Sequence, residues 1–242
     1  MHSDPVRINV DGESLAGTLA VPKTGVPGLL FLHGWTGSQE SDLRRARQIA
    51  TLGCVCLTFD LRGHAATEAM RNEVTPRDNL HDALAAYDLL IAQPLVDRSS
   101  IAVVGSSYGA YLATVLTSLR PVRWLSLRVP ALYRDRHWSV PKGKLDRLDL
   151  ETYRSQRIEP EDNRALKACS RFGGDVLIVE SQKDHLVPHA TIANYMSSFR
   201  QARSLTYRLI EGADHALSDA ESRRAYSSLL VGWVREMVLG AR

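Results

Sequence analysis

The chain is poor in cysteine, and the few cysteines it has do not describe a disulfide scaffold. Three cysteines in 242 residues are an odd number and far below the density of small secreted domains. Cys54 and Cys56 lie two positions apart in an apolar run, so we expect both on one side of a strand, buried and reduced. No further ligands follow at metal-binding spacing, and we expect no metal site.

Strong net charge and long apolar runs are also lacking. The formal net charge is +3, and the basic residues are scattered rather than continuous, which excludes the usual signature of a nucleic-acid partner. No apolar run approaches the length of a membrane span, and the first residues do not follow a signal-peptide pattern. We predict a cytoplasmic protein without a cofactor, and a homodimer is one option.

What the sequence does contain is a repeated alternation of short apolar runs with amphipathic stretches. Continuous apolar runs of this kind are typical of strands buried on both faces, and helical patterns between them are typical of a mostly parallel sheet with helices on both faces. The predicted strands are 28–32, 53–59, 101–104, 124–129, 175–179 and 204–210.

Two segments depart from this alternation. Residues 6–9 and 15–21 read as an antiparallel hairpin with Asp11-Gly12 at its turn. Residues 130–163 are polar, basic and proline-bearing. We interpret them as a small lid over the carboxyl ends of the strands, because long ordered excursions in compact domains are usually functional; a surface excursion without a binding role is the alternative. No linker or repeat is visible, which favours one domain over residues 1–242.

The sequence GSSYG at residues 105–109 carries the first chemical signal. It follows a predicted strand and opens a predicted helix, which is the context of a G-x-S-x-G nucleophile turn. The sharp turn requires small residues two positions away from the serine. It exposes the hydroxyl at a helix N-terminus, where backbone N–H groups favour developing negative charge. Ser107 is therefore the predicted nucleophile.

A serine hydroxyl needs a base, and the expected chain order is serine, acid, histidine. His215 follows the strand 204–210 and precedes a helix, so it should lie at the same sheet edge as Ser107. The other histidines considered are less suitable by position: His33, His64, His185 and His189.

The acid should follow the preceding strand, and Asp184 does so. A buried carboxylate there would orient His215 and stabilise its imidazolium form. Glu180 is the alternative, since it sits nearer the strand end. Asp214 is adjacent to His215 and cannot readily reach round to that ring.

Two backbone N–H groups are expected to bind the oxyanion. One belongs to Tyr108, the residue after the nucleophile, and the other to the loop after the strand 28–32. That loop reads HGWTG at residues 33–37, and its two glycines let the backbone turn inward, so Trp35 is the predicted second donor.

Together these motifs resemble the α/β-hydrolase family over nearly the whole chain. The motifs are HGWTG (33–37), FDLRGH (59–64), GSSYG (105–109), KDHLVP (183–188) and ADH (213–215). The resemblance implies an α/β-hydrolase fold with a mostly parallel eight-stranded sheet and cleavage of esters or amides. HGWTG with a lid is similar to small carboxylesterases, including feruloyl- and cinnamoyl-esterases. GSSYGAYLA is similar to the catalytic domain of prolyl-oligopeptidase-type peptidases, whose large propeller has no room in this chain.

The sequence departs from the family pattern at two places. Position 64 is His where glycine is usual, which should alter the entrance, and Glu180-Ser181 stand where glycine is frequent. For substrate binding we predict Tyr133 and Trp138, which suit a small acyl or aromatic group. Arg134, Arg136 and His137 would instead favour an anionic substrate, and a solvated surface is the alternative for them.

The predicted function is a serine hydrolase that cleaves a small-molecule carboxylic ester through an acyl-enzyme. A peptidase or amidase, a thioesterase, a lactonase and a carbon–carbon bond hydrolase would use the same three residues. Some relatives of this fold show a cofactor-free haloperoxidase side activity. A ligand-binding protein with a disabled site is the alternative outside the enzymes.

Overall fold

The sheet contains eight strands in the computed structural model, which describes residues 2–21 and 27–240. The strands are β1 (His2–Val10), β2 (Glu13–Val21), β3 (Gly28–Leu32), β4 (Val55–Phe59), β5 (Ile101–Ser106), β6 (Trp124–Arg128), β7 (Asp175–Ser181) and β8 (Ser204–Ile210). Their order is β1-β2-β4-β3-β5-β6-β7-β8. Residue 1, residues 22–26 and residues 241–242 of the predicted domain lie outside the described residues.

Seven α-helices are described between or after these strands. They are α1 (Glu40–Ala50), α2 (Pro76–Ile91), α3 (Tyr108–Leu116), α4 (Arg147–Arg154), α5 (Arg164–Arg171), α6 (His189–Ser198) and α7 (Ala220–Leu239). Short 3₁₀ turns occur at Ala65–Met70, Asp135–His137, Lys142–Lys144 and Pro160–Asp162. The last helix, α7, follows Asp219, whose side chain caps it by accepting from the Ser222 amide.

One strand of the sheet, β2, runs antiparallel to the other seven. β1 pairs with β2 and β2 with β4 in antiparallel register, while β4, β3, β5, β6, β7 and β8 pair in parallel. The chain runs from β3 outward to β4 and then returns to β5 on the other side of β3. This reversal leaves a crevice at the carboxyl ends of β3 and β5, where open α/β sheets bind ligands. The predicted fold class is confirmed.

The turn between β1 and β2 follows the predicted hairpin chemistry. Asp11 and Gly12 both have positive φ, at 49° and 80°, as a two-residue turn between strands of right-handed twist requires. The hairpin pairs from His2 with Val21 to Val10 with Glu13. It thereby supplies the antiparallel edge of the sheet.

Successive side chains of the central strands point to opposite faces of the sheet, and each face has its own hydrophobic core. Leu30 and Leu32 pack on the face covered by α2, α3, α5 and α6, and Leu29 and Phe31 pack on the face covered by α1 and α7. Cys54 and Cys56 are buried in the second core, as predicted. With both faces covered, the strands hold the loops at their carboxyl ends on a rigid support.

The segment between β6 and α5 contains the helix α4 and three short 3₁₀ turns. It is anchored inward by apolar and aromatic side chains, since Tyr133 and Tyr153 are only 2% and 6% exposed. Its backbone also contacts the start of α2, where the Arg77 amide donates to Trp138 O. Its role as a lid stays a prediction.

Helix length and hydropathy bear on the membrane question. Across the described ranges, with their gaps at residues 1, 22–26 and 241–242, no helix combines the length and apolar character that crossing a bilayer requires. The cytoplasmic location and the homodimer stay predictions.

Candidate active site

Ser107 occupies a strained turn between β5 and α3. Its φ of 52° and ψ of −112° lie in a region that non-glycine residues rarely adopt. The turn is held from both sides by the chain after β6, because the Ser107 amide donates to Arg128 O at 2.8 Å and Ser107 O accepts from the Ala131 amide at 3.1 Å. The hydroxyl is thus presented at the N-terminal end of α3.

The two glycines of the motif are required by close backbone contacts. A Cβ at Gly109 would lie 2.1 Å from Leu32 O, and a Cβ at Gly105 would lie 2.5 Å from Ala110 Cα. Neither contact can be relieved by a side-chain rotation, because both partners are backbone atoms. The spacing recognised in the sequence is therefore a steric consequence of packing the turn against the end of β3.

Three of the predicted side chains form one hydrogen-bonded chain. His215 Nε2 lies 3.0 Å from Ser107 Oγ, and His215 Nδ1 lies 2.6 Å from Asp184 Oδ2. A carboxylate at Nδ1 requires the proton on that nitrogen, which leaves Nε2 free to accept from the serine hydroxyl. The arrangement can move a proton from Ser107 to His215.

Asp184 is held as an anion at the inner end of this chain. Its side chain is 2% exposed, and its second oxygen accepts hydrogen bonds from the Leu186 and Val187 amides at 2.8 and 2.9 Å. Burial by itself raises the pKa of the Asp184 carboxyl, but hydrogen bonds from His215 and the two amides outweigh it and hold that pKa below its ordinary value.

The rival acids have other partners. Glu180 is bonded to His189 Nδ1 at 3.0 Å and to the Tyr207 hydroxyl at 2.6 Å. Asp214 accepts from the Ser218 amide. Only Asp184 of the three carboxylates considered is hydrogen-bonded to the ring of His215.

The predicted oxyanion donors lie side by side on the loops after β3 and β5. The rings of Trp35 and Tyr108 meet edge to face with centroids 5.4 Å apart, and Gly34 approaches Ser107 closely enough that a Cβ there would touch Ser107 Cβ at 3.4 Å. Within residues 2–21 and 27–240, neither the Trp35 nor the Tyr108 amide donates a hydrogen bond to a protein acceptor. Both N–H groups are therefore available to a ligand.

Two neutral histidines support this loop. His33 Nε2 accepts from the Leu61 amide at 3.0 Å, and burial lowers the pKa of His33. His64, at the position where glycine was expected, packs edge to face against Trp35 and His33. Burial, with His33 beside it, lowers the pKa of His64 to about 4, so the ring stays uncharged at neutral pH.

The predicted substrate-binding side chains belong to an aromatic cluster. The Tyr133 ring contacts those of Tyr108 and Tyr111 with centroid separations of 5.7 and 5.0 Å. Trp138 is partly exposed; its ring lies 6.4 Å from that of Tyr111 and beneath the Arg164 guanidinium. Tyr133 is almost fully buried, and its ring packs on that of Tyr108, the residue after Ser107.

A cavity of about 460 Å³ lies between the β1–β2 hairpin and the chain after β4. Its polar lining includes Arg7, Ser14, Asp60, His64 and Thr67. The described lining contains none of the hydrogen-bonded trio. One of its lining residues, His64, packs its ring on Trp35 of the candidate site.

Comparison with known proteins identifies the family of this chain. The sequence model of the alpha/beta hydrolase family matches residues 29–228. The chain belongs to the alpha/beta hydrolase family. An uncharacterized protein of Mycobacterium tuberculosis is 28% identical to it over 191 residues, which are 78% of this chain and 63% of that protein. This alpha/beta hydrolase thus spans less than two thirds of the length of that relative.

Solved structures show the same fold across most of the hydrolase. A dienelactone hydrolase from Anabaena variabilis superposes with a TM-score of 0.68 at 19% identity, covering 96% of each chain. Est1E from Butyrivibrio proteoclasticus with bound ferulic acid superposes with a TM-score of 0.70 at 18% identity, covering 97% of this chain and 98% of that one. At these identities the likeness establishes the fold.

A further residue at this site was not predicted from the sequence of this alpha/beta hydrolase. Arg128, the last residue of β6, donates from Nη1 to His215 O at 2.8 Å and from Nε to Ser106 Oγ at 3.4 Å. It is 8% exposed, and burial lowers the pKa of its guanidinium. An arginine closing an apolar strand carries no distinctive sequence signal. Its contact with the His215 loop arises only when β6 and β8 are brought together.

Proposed function

We propose that this alpha/beta hydrolase cleaves carboxylic esters of small acyl or aromatic groups through an acyl-enzyme on Ser107. The observation that carries the proposal is the hydrogen-bonded chain from Ser107 Oγ through His215 to Asp184, with distances of 3.0 and 2.6 Å. This is the arrangement that turns a serine hydroxyl into a nucleophile.

In the first half-reaction, Ser107 Oγ attacks the ester carbonyl carbon while His215 Nε2 takes its proton. The Asp184 carboxylate stabilises the imidazolium that forms. The N–H groups of Trp35 and Tyr108 bind the negative oxygen of the tetrahedral intermediate. The carbon–oxygen bond to the alcohol then breaks, and His215 gives its proton to the leaving oxygen.

In the second half-reaction, water attacks the acyl carbon and His215 takes its proton. The bond to Ser107 Oγ breaks, the carboxylic acid departs, and the proton returns to the serine. Each proton moves over the same His215 nitrogen. Because both half-reactions use this nitrogen, Asp184 must keep the His215 ring in one tautomer throughout.

Arg128 acts as a positioning residue in this scheme. Its hydrogen bond to His215 O ties the histidine loop to the end of β6, and the carbonyl of the same residue accepts from the Ser107 amide. One residue thus fixes the two backbone segments whose side chains exchange the proton. Such positioning matters because small displacements of reacting groups reduce the rate strongly.

The decisive experiment compares the wild type with Ser107→Ala on p-nitrophenyl esters from acetate to octanoate and with a fluorophosphonate probe. The wild type should hydrolyse short esters and form a probe adduct on Ser107, located by peptide mass mapping. The variant should lose about 10⁵-fold or more in kcat. Ser227→Ala, on α7 where the hydroxyl donates to Arg223 O, is the matched control and should behave as the wild type.

The outcomes separate the candidate functions. Probe labelling without ester turnover would retain the nucleophile and move the substrate class to amides or thioesters. An adduct on Ser106, or turnover by Ser107→Ala, would refute the assignment. Tight ligand binding with neither labelling nor turnover would favour the non-catalytic alternative.

A lactonase is the second candidate. A lactone is a cyclic ester and follows the same two steps, except that the leaving alcohol stays attached to the acyl group. Similarity in fold to the dienelactone hydrolase makes this candidate worth an assay. Turnover of lactones at a higher kcat/KM than open-chain esters of equal length would select it.

A further inference from the structure

Lys142 reaches from the segment between β6 and α5 into the aromatic cluster beside Ser107. Its Nζ lies 4.2 Å from the centre of the Trp35 ring, 5.5 Å from that of Tyr108 and 5.7 Å from that of Tyr133. Trp35 and Tyr108 are the two residues whose N–H groups face the oxyanion in the proposed mechanism. The ammonium therefore lies over the side chains of the residues that border the reacting carbonyl.

This ammonium has no acidic partner in the part of the chain that the structure describes, residues 2–21 and 27–240: no carboxylate oxygen lies within 4 Å of it. The cations singled out in the sequence are different. Arg134, Arg136 and His137 all face Asp149, at 3.1, 3.2 and 3.7 Å. The cations on the outer side of this segment therefore share a carboxylate partner, and Lys142 on its inner side has none among the described residues.

A second cation lies against the same cluster. The Arg154 guanidinium lies 5.0 Å from the centre of the Tyr133 ring and is 8% exposed. It donates to Leu132 O and Leu186 O, and among the described residues no carboxylate pairs with it. Arg154, which is buried, and Lys142, which is partly buried, lie on one aromatic cluster without a carboxylate partner among the described residues, and together they form a site of positive potential.

We propose that Lys142 binds a carboxylate carried by the substrate, so that the preferred substrates are esters with a second, anionic carboxyl group. This inference rests on the proposed esterase function and narrows its substrate class. The aromatic rings hold the ammonium through cation–π contacts while leaving its hydrogen-bond donors free. A substrate carboxylate supplies the acceptor and the countercharge that the protein itself does not.

The electrostatics of the site agree with this assignment. Burial and the nearby charge of Arg154 lower the pKa of Lys142 to about 7. The protonated form of Lys142 is therefore disfavoured by its protein surroundings. An arriving carboxylate stabilises that form, which is the differential interaction that selects an anionic ligand over a neutral one of the same shape.

The test compares matched ester pairs in the wild type and in Lys142→Met, a substitution that keeps the length of the side chain and removes its charge. One pair places the carboxylate on the acyl group: 4-nitrophenyl hydrogen glutarate against 4-nitrophenyl pentanoate. The other places it on the alcohol: 4-carboxyphenyl pentanoate against phenyl pentanoate. For at least one pair, the ratio of kcat/KM for the anionic to the neutral ester should fall about 10- to 100-fold in the variant.

Two further variants control for charge and for folding. Lys144→Met removes an exposed lysine from the same 3₁₀ turn and should leave the ratio unchanged. Lys142→Arg keeps the charge and should retain most of the preference. Thermal unfolding of all three variants checks that each is folded. If Lys142→Met is not, the pH dependence of the ratio in Lys142→Arg, compared with that in the wild type, decides the question.

Binding of monomethyl glutarate to Ser107→Ala protein, with and without Lys142→Met, provides a readout that needs no turnover. The Kd should rise about 10- to 100-fold when the lysine is replaced. If esters are not hydrolysed at all, the proposed function fails while this binding difference still decides the role of Lys142. Unchanged ratios together with unchanged Kd, or equal losses on anionic and neutral esters, would overturn the inference.

Discussion

Two histidine–carboxylate pairs lie close to the carboxyl end of β7, and they differ in the exposure of the histidine and in their further partners. His215 and Asp184 are joined at 2.6 Å, and the other ring nitrogen faces Ser107 Oγ. His189 and Glu180 are joined at 3.0 Å, but the His189 side chain is 69% exposed. The second partner of Glu180 is the Tyr207 hydroxyl rather than a nucleophile.

The difference shows that a buried carboxylate next to a histidine does not by itself bring a hydroxyl within reach of the ring. In the His215 pair, the loop after β5 supplies a hydroxyl at a strained turn, and Arg128 anchors the backbone of the histidine. In the His189 pair, the carboxylate orients groups that face solvent. Burial and contact with Glu180 raise the pKa of Tyr207 to about 12, so that phenol remains a proton donor to the carboxylate.

The largest expected effect breaks the first pair and leaves the second intact. Asp184→Asn should lower kcat by about 10⁴-fold, because an amide no longer holds the His215 tautomer or stabilises its charged form. Glu180→Gln is the matched substitution in the other pair and should change kcat by no more than about twofold. Steady-state hydrolysis of p-nitrophenyl acetate measures both. Equal losses in the two variants would mean that both pairs take part.

A smaller effect follows from loosening the backbone of the first pair. Arg128→Met should lower kcat about 10- to 100-fold with little change in KM, because the His215 loop loses its tie to β6 while the binding surface stays in place. Arg45→Met is the control, since both guanidiniums lie over the Tyr226 ring but only Arg128 contacts His215 O. A rise in KM with constant kcat would assign Arg128 to binding instead.

The charge state of Lys142 gives a several-fold effect that is independent of His215. Since Lys142 is protonated below a pKa of about 7, the preference for an anionic over a neutral ester should decline as the pH rises from 6 to 8.5. The titratable groups around it are Arg154, Tyr108, Tyr133 and, beyond Trp35, His64. Burial raises the pKa of Tyr108 and of Tyr133, so both phenols stay neutral across this range, and His64 is already neutral.

The ratio of kcat/KM values for the two glutarate- and pentanoate-derived esters measures this decline. Groups that both esters need affect the two kcat/KM values alike, so their pH dependence cancels in the ratio. Lys142→Arg should give a ratio that does not change with pH. A wild-type ratio that is flat from pH 6 to 8.5 would contradict a role for the Lys142 charge.

The smallest expected effect concerns stability in acid. The pKa of Asp184 is lowered in the folded protein, so its carboxylate contributes stability that is present above its unfolded pKa of about 3.9 and is lost as the pH falls through the folded value. Urea unfolding from pH 7 to pH 3 should therefore show a smaller loss of free energy of unfolding for Asp184→Asn than for the wild type. Parallel curves for the two proteins would exclude this contribution.

Local chemistry made much of this fold and site predictable from the sequence. The hairpin turn at Asp11-Gly12 and the glycines around Ser107 are dictated by backbone sterics that act within a few residues. The alternation of apolar strands with amphipathic helices specifies a doubly covered parallel sheet. Chain order then places Ser107 and His215 at the same edge, because all parallel strands end there.

Contacts between distant segments decided the rest. Asp184 and Glu180 both follow the same apolar run in the sequence. It is Asp184 that contacts His215, because the loops after β7 and β8 bring those two side chains together. Arg134 and Lys142 are equally basic in the sequence, yet one faces Asp149 and the other faces three aromatic rings. The amino-acid order determined which groups were available at the sheet edge. Only the packing determined which charges are neutralised, because that depends on distances between segments that are far apart along the chain.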